Sequence, residues 1–372
     1  MNRGLSLYFD LLRTVAAFEV FLFHMHRFRR IGLAVAWWNF LGYEAVILFF
    51  VLSGFVIGFA ASERDVTLDR YIVSRLTRIL SVAVPAVLLT YIADQIGHRV
   101  DPTIYSPFPL DVPLIRLAAG LTMLNESWVS IQMFSNWPLW SVAYEFWYYF
   151  LFAAAFFLRG RLRLVTIFIL AIIAGPHSLL LFPIWLLGQW AYRERWSARL
   201  PRVAIVLLAL VPLAGIWLYF AESWRQHGVD ALLSVMSRHT WRYGLSASRY
   251  VLSDTALGAL IALHFIGMRG LGPKLEQVLS TVARPVRFAA AYSFTLYALH
   301  QPLMLLFASI LGAAGLPVSP WTVGGLTLAM VYAVGTVTER QRDRLKPLFA
   351  RALAAVLPAR VLASAGAGAR AI

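Results

Sequence analysis

The spacing of apolar residues constrains this chain more than any other feature. Stretches of about twenty mainly apolar residues, the length that carries a helix across the hydrocarbon core of a bilayer, recur from one end to the other, and most charged residues fall in the short gaps between them. In lipid only helices and closed barrels satisfy every backbone polar group internally. Spans are expected near residues 5–26, 41–62, 76–96, 138–158, 164–177, 178–192, 203–221, 250–267, 288–309 and 321–338. The expected fold is therefore all-α, a polytopic transmembrane helical bundle of about ten helices. The fifth and sixth spans are short and Gly175-Pro176 lies between them, so they are read as a tight or partly re-entrant hairpin. The apolar stretch 110–124 is too short to span and is read as a surface helix on an outer loop.

Composition agrees. Only 14% of the 372 residues are charged and 60% are hydrophobic, whereas soluble domains carry about 25% charged residues. No polar linker, internal repeat or appended soluble domain divides the chain. Residues 1–338 are expected to form one membrane domain. Residues 339–372 are expected to form a basic cytoplasmic tail that first follows the inner surface and then becomes disordered. The first apolar stretch holds Asp10, Arg13 and Glu19, which a cleavable signal core would not tolerate, so it is kept as a span.

The net charge of +15 does not point to nucleic acid, because most arginines sit beside span ends, where positive charge sets orientation. Placing the first residue inside puts 23 lysines and arginines in inner segments against 9 in outer ones. Both termini are therefore expected in the cytoplasm. The absence of cysteine excludes disulfides, thiolate metal sites and a cysteine acyl-enzyme.

Ionisable residues inside a bilayer are costly and so are candidates for function. In the first helix, Arg13 and His24 are eleven residues apart, on one face and roughly 16 Å apart along the axis, a spacing suited to an elongated ligand gripped at two depths. Asp10, one turn before Arg13, can hold its guanidinium; equally, the pair could serve only to neutralise charge during insertion. His24 is the residue type best able to take a proton from a hydroxyl near neutral pH, and an interfacial histidine beside His26 and Arg27–Arg30 is the plainer reading. Glu19 points off this face, and Glu44 is a further acid near the outer end of the second span. Ser53-Gly54 permits close helix approach. Arg75 and Arg78, one turn apart, open the third span on the cytoplasmic side. They would match phosphate oxygens or anchor the helix. Glu145 lies two turns into the fourth span, with Ser141 four residues earlier and in reach of its carboxylate. Ser293, Tyr297 and His300 share one face of the ninth span.

Five blocks, in order, resemble the bacterial membrane acyltransferases of the acyltransferase 3 family across nearly the whole chain. They are Asp10-Leu-Leu-Arg13 followed by ten residues and His24, FFVLSGF at 49–55, RLTRIL at 75–80, NWPLWSVAYEFWYY at 136–149 and YSFTLYALHQPL at 292–303. Family members commonly carry Gly-Val-Asp before the Phe-Phe pair, where this chain has Ala45-Val46-Ile47; Glu44, one turn before Ile47, is the candidate substitute. The resemblance implies transfer of an acyl group, acetyl or another such as succinyl, from cytoplasmic acyl-CoA to a hydroxyl of an extracytoplasmic glycan or lipid-linked saccharide.

On that reading His24, Glu145 and His300 are catalytic, and Arg13, Arg75, Arg78, Asp10, Ser141 and Tyr297 bind substrate. His24 is the base or is itself transiently acylated, and Glu145 and His300 orient the acceptor or shuttle protons. No metal and no permanently bound cofactor are expected, acyl-CoA being a substrate. The expected partners are acyl-CoA, a saccharide or glycolipid acceptor and membrane lipids, with no nucleic acid, and the expected location is the inner membrane of a bacterium. The rival reading is a transporter or flippase whose buried Arg, His and Glu form a substrate or proton path, against which stands the lack of a repeated half.

Overall fold

A computed structural model describes residues 1–34 and 41–356. Among the described residues there are helices and no strand. In chain order the helices are α1 (Arg3–Arg27), α2 (Gly42–Glu63), α3 (Leu68–Val100), α4 (Pro102–Tyr105), α5 (Pro113–Leu121), α6 (Leu139–Phe157), α7 (Gly160–Arg193), α8 (Arg202–Ala221), α9 (Trp224–Leu233), α10 (Val251–Gly270), α11 (Gly272–Leu279), α12 (Ala283–Ala290), α13 (Ser293–Ala313), α14 (Pro320–Val337) and α15 (Lys346–Val356). Seven of them, α2, α3, α7, α8, α10, α13 and α14, are long and apolar enough to cross a membrane. α1 and α6 carry polar residues within their apolar lengths, Asp10, Arg13 and Glu19 on one and Glu145 with its Trp and Tyr neighbours on the other.

Local signals set several ends. The Asn2 side chain accepts the Leu5 N–H at 2.8 Å and caps α1, and Ser319 and Thr322 form a reciprocal capping box on α14, each satisfying amides that a first turn leaves unpaired. Two glycines set the tightest crossing. A Cβ on Gly54 would stand 2.0 Å from the Trp185 carbonyl oxygen, and one on Gly188 would stand 1.9 Å from that of Val51. Only glycine lets the backbones of α2 and α7 approach this closely. Trp185 is fully buried there, within ring-contact distance of Tyr148, Phe152 and Phe182, and its indole N–H donates to Ser53 Oγ at 3.1 Å.

The helices fall where the apolar spans were expected, with shifted edges. α7 breaks at Gly175, whose φ of 76° and ψ of 168° are open to glycine and whose α-hydrogen faces the Ser127 backbone. The expected break therefore occurs two residues before the expected boundary. α3 begins at Leu68, eight residues early, so Arg75 and Arg78 do not open it but lie two to three turns inside. The span expected from 288 starts at Ser293; residues 283–290 form the separate short helix α12. The predicted surface helix at 110–124 is α5, with Leu114 and Ile115 exposed. After α14 the chain makes a 3-10 segment, Glu339–Leu345, and then α15. The expected disordered tail end, with Arg360 and Arg370, lies outside the described residues.

Candidate functional site

Three clefts border the expected site residues. Two connect at the end where α3, α12 and α13 begin, here the basic end; the third lies at the opposite, far end.

The inner cleft runs between α1, α2, α3, α6 and α13, and six expected site residues line it: Arg13, Arg75, Arg78, Ser141, Glu145 and Tyr297. Glu145 is held from two sides, its Oε1 accepting the Ser53 hydroxyl at 2.5 Å and the Tyr149 hydroxyl at 2.5 Å. Ser53, beyond easing helix approach, thus links the carboxylate to Trp185. The expected Ser141–Glu145 hydrogen bond is absent. Ser141 instead meets the Tyr297 hydroxyl at 2.5 Å, because its side chain leaves α6 toward α13 while Glu145 faces α2.

Arg75 and Arg78 are not equivalent. Arg75 is only 4% exposed; it donates to Asp65 at 2.8 Å and to Ser74 at 2.7 Å, and lies over the rings of Tyr71 and Tyr149. The side chain of Arg78 has no hydrogen-bond or ion-pair partner among the described residues and faces two clefts at once. The second is the basic-end cleft, formed with Asp10, Arg13, Arg287, Glu339, Arg340 and Arg342. Asp10 and Arg13 form the expected ion pair.

His24 and His300 are brought together, which their sequence separation could not reveal. His300 Nδ1 lies 2.9 Å from the Leu296 carbonyl, so that nitrogen carries the hydrogen and Nε2 the lone pair. Nε2 lies 3.1 Å from His24 Nδ1, which also approaches the Val20 carbonyl at 2.9 Å. Both neighbours are acceptors, so His24 Nδ1 is the donor. The lone pair of His24 therefore sits on Nε2, which has no hydrogen-bond partner among the described residues, and the ring lines the far-end cleft. His300 is fully buried behind it. His264, outside the motif blocks, is fixed between Tyr8 and the Ala209 carbonyl.

The far-end cleft is walled by Arg27, Tyr43, Asn125, Glu126, Asn136, Trp137, Trp140 and Arg249 together with His24. The turn before α6 is fixed there by buried groups. Asp94 accepts the Ser135 N–H at 2.7 Å and its hydroxyl at 2.6 Å, while the Asn136 amide donates to Thr90 at 2.9 Å and to the Ala298 carbonyl at 2.8 Å. Glu126 bonds Ser130, and accepts the Ser246 hydroxyl at 2.9 Å; burial, its main perturbation, pushes it up to about 7. Sequence reasoning missed Glu126 because it sits in a loop with no motif. It also missed Asp94 and Asp254, although an acid inside an apolar span is the signal that singled out Glu145. Asp254 is fully buried, with the Tyr43 hydroxyl at 3.0 Å. Glu44, the candidate substitute for the acid before the Phe-Phe pair, pairs with Arg225 at the far end. Glu19 accepts the Leu41 N–H at 2.7 Å.

The family model described as an acyltransferase domain, that of the acyltransferase 3 family, matches residues 6–340. No curated protein and no solved structure matches the chain.

Proposed function

Because the chain belongs to the acyltransferase 3 family, we propose that it is an integral membrane O-acyltransferase that draws its acyl group from acyl-CoA at the basic end and delivers it to a hydroxyl at the far end. The seven long apolar helices become ten spans when α1 and α6 are added and α7 is divided at Gly175. The excess of lysine and arginine beside the basic end supports a cytoplasmic orientation for that end and for both termini, in a bacterium as the family resemblance implies. The acceptor is then an extracytoplasmic glycan or lipid-linked saccharide, and the acyl group acetyl in the first instance.

One observation carries this reading: the lone pair of His24 is presented to the far-end cleft by a hydrogen-bond chain that ends on the Leu296 carbonyl. A sugar hydroxyl is a poor nucleophile near neutral pH and needs a positioned proton acceptor. His24 Nε2 takes the hydroxyl proton as the oxygen attacks the thioester carbonyl. The carbon–sulfur bond then breaks, the sulfur leaves as CoA thiolate, and the proton on His24 is available to it. His300 accepts from His24 Nδ1–H and so favours the tautomer that leaves Nε2 basic and supports the imidazolium that forms. Attack by Nε2 on the thioester, giving an acyl-histidine, would use the same lone pair. Arg78 is suited to the CoA phosphates. Glu145, fixed by Ser53 and Tyr149, lines the inner cleft, so we read it as bordering the donor arm, beside the expected roles of orienting the acceptor or shuttling protons. A layer of Ser141, Tyr297, His300 and His24 separates the clefts, and the thioester has to cross it.

The test is acyl-CoA binding and single-turnover transfer by the purified chain in proteoliposomes, with labelling of introduced cysteines to fix the orientation. Binding and transfer are expected, with residue 345 labelled only from inside. A chain that binds no acyl-CoA, or a residue 345 labelled from outside, would overturn the reading. A transporter needs neither acyl-CoA binding nor transfer.

A further inference from the structure

The basic-end cleft holds more guanidinium groups than the motif blocks account for. Arg13 and Arg78 border both this cleft and the inner one, so the two meet at these side chains. The outer rim comes from parts of the chain that no block includes: Arg287 on α12, and Arg340 and Arg342 on the segment after α14. That segment is held in place. Glu339 is buried, and its carboxylate accepts the Thr295 N–H and hydroxyl, both at 2.9 Å, which ties the segment to the first turn of α13. Arg340 donates to the Tyr292 hydroxyl at 3.2 Å.

The acids of the cleft are already engaged. Asp10 is paired with Arg13, Asp343 with Lys346 at 2.8 Å, and Glu339 with Thr295. The side chains of Arg78, Arg287 and Arg342 have no hydrogen-bond or ion-pair partner among the described residues. Like charges gathered in one cleft repel, and a phosphomonoester, which carries −1.5 to −2 charges and three acceptor oxygens near neutral pH, would remove that repulsion and bind guanidinium groups through paired hydrogen bonds. A lipid headgroup could offer similar phosphate chemistry. Continuity with the inner cleft favours a ligand whose remainder extends inward, past Arg78.

We propose that the rim formed by Arg287 and Arg342 binds the 3′-phosphate of the adenosine end of CoA, leaving Arg78 for the diphosphate. The proposal rests on the acyl-CoA reading above and adds two donor-binding residues to it. It predicts discrimination between CoA and dephospho-CoA, which differ only in that phosphate.

The experiment measures affinities of the full chain in nanodiscs of zwitterionic lipid for both ligands. The wild type is expected to prefer CoA by tenfold or more, the loss on removing one charge-assisted contact. The double variant Arg287→Gln/Arg342→Gln is expected to lose the preference while keeping its affinity for dephospho-CoA, which also shows that it is folded. On the wild type alone, adenosine 3′,5′-bisphosphate should displace CoA at least tenfold better than AMP. Equal affinities of the wild type for the two ligands, equal weakening of both by the substitutions, or equal displacement by the two nucleotides would each overturn the site. So would thermal stabilisation by an anionic phospholipid that depends on Arg287 and Arg342 without any CoA preference, which would make the rim a headgroup site. If the wild type binds neither ligand, the acyl-CoA reading itself fails, an outcome distinct from the others.

Discussion

The two ends of the bundle treat their arginines differently. At the far end several cations are committed to the protein: Arg225 pairs with Glu44 and lies over Tyr43 and Tyr250 at 5.0 and 4.9 Å, Arg116 pairs with Asp111 at 2.6 Å, and Arg27 and Arg249 lie over Trp137 and Tyr250. At the basic end Arg78, Arg287 and Arg342 line a cleft whose acids are already engaged. The pairing of the arginines, and not their number alone, distinguishes the two ends. In the proposed reaction an anionic donor enters where guanidinium groups have no partner, and a neutral polyhydroxyl acceptor meets a cleft of aromatic and amide groups whose cations, Arg27 and Arg249, lie over aromatic rings.

The largest expected effect is at the junction of the two ends. His24→Ala should lower single-turnover transfer on the order of 10²–10⁴-fold, the usual contribution of a positioned general base, with acyl-CoA affinity retained because His24 lines the far cleft. His300→Ala should cost less, since His24 Nδ1–H keeps the Val20 carbonyl as an alternative acceptor. Transfer from labelled acyl-CoA in proteoliposomes, with matched protein amounts, measures both. If the His24 variant loses donor binding along with transfer, the division between a donor end and an acceptor end breaks down.

The helices were legible because apolar length is written directly into a membrane sequence. Gly175 was legible as a break because Gly-Pro rarely continues a helix. The starts of α3 and α13 were not: the polar first turns of α3 look like a loop to a hydropathy reading, which is why Arg75 and Arg78 seemed to open a helix that starts at Leu68, and the end of α12 was read as part of the span that begins at Ser293. Within the site, periodicity placed Arg13 and His24 on one face, and spacing predicted the Asp10–Arg13 pair. It could not bring His24 to His300, 276 positions apart, nor show that Ser141 would find Tyr297 before Glu145. Partner choice between helices depends on tertiary packing, which one sequence does not encode legibly. Asp94 and Asp254 were readable as acids in apolar spans and were passed over for lack of a motif.

A second test asks whether the far end really keeps charge out of its cleft. Burial raises Glu126 to about 7 against about 4.5 when unfolded, so the folded chain binds this proton more tightly. The stabilising contribution is complete below about pH 4.5, declines as pH rises, and is lost above about pH 7. Its full size is about 3 kcal/mol by linkage. Thermal melts between pH 5 and 8 should therefore show stability falling with pH, and Glu126→Gln should flatten the curve by about that amount at the alkaline end. An unchanged slope in the variant would mean that Glu126 is ionised in the fold and that the far cleft carries an open charge after all.

The smallest expected effect separates the two arginines of α3, and it tests the comparison within a single helix. Arg75 and Arg78 are one turn apart and identical in type, yet only Arg78 is without a partner. Arg78→Gln should weaken CoA binding about tenfold, the value of one charge-assisted contact, and leave the melting temperature nearly unchanged. Arg75→Gln should do the reverse. It strands the Asp65 carboxylate, which is 18% exposed, so the loss should fall below the 3–5 kcal/mol of a fully buried broken pair, at about 1–2 kcal/mol. Adding Asp65→Asn to Arg75→Gln should recover most of that stability, because it removes the stranded charge, while CoA affinity stays near the wild-type value. Titration of CoA and thermal melts on the same four preparations decide the matter. Weaker CoA binding in the Arg75 variant, undiminished when Asp65 is also neutralised, would show that both arginines contact the donor and that pairing in the free protein does not predict which cation a ligand recruits.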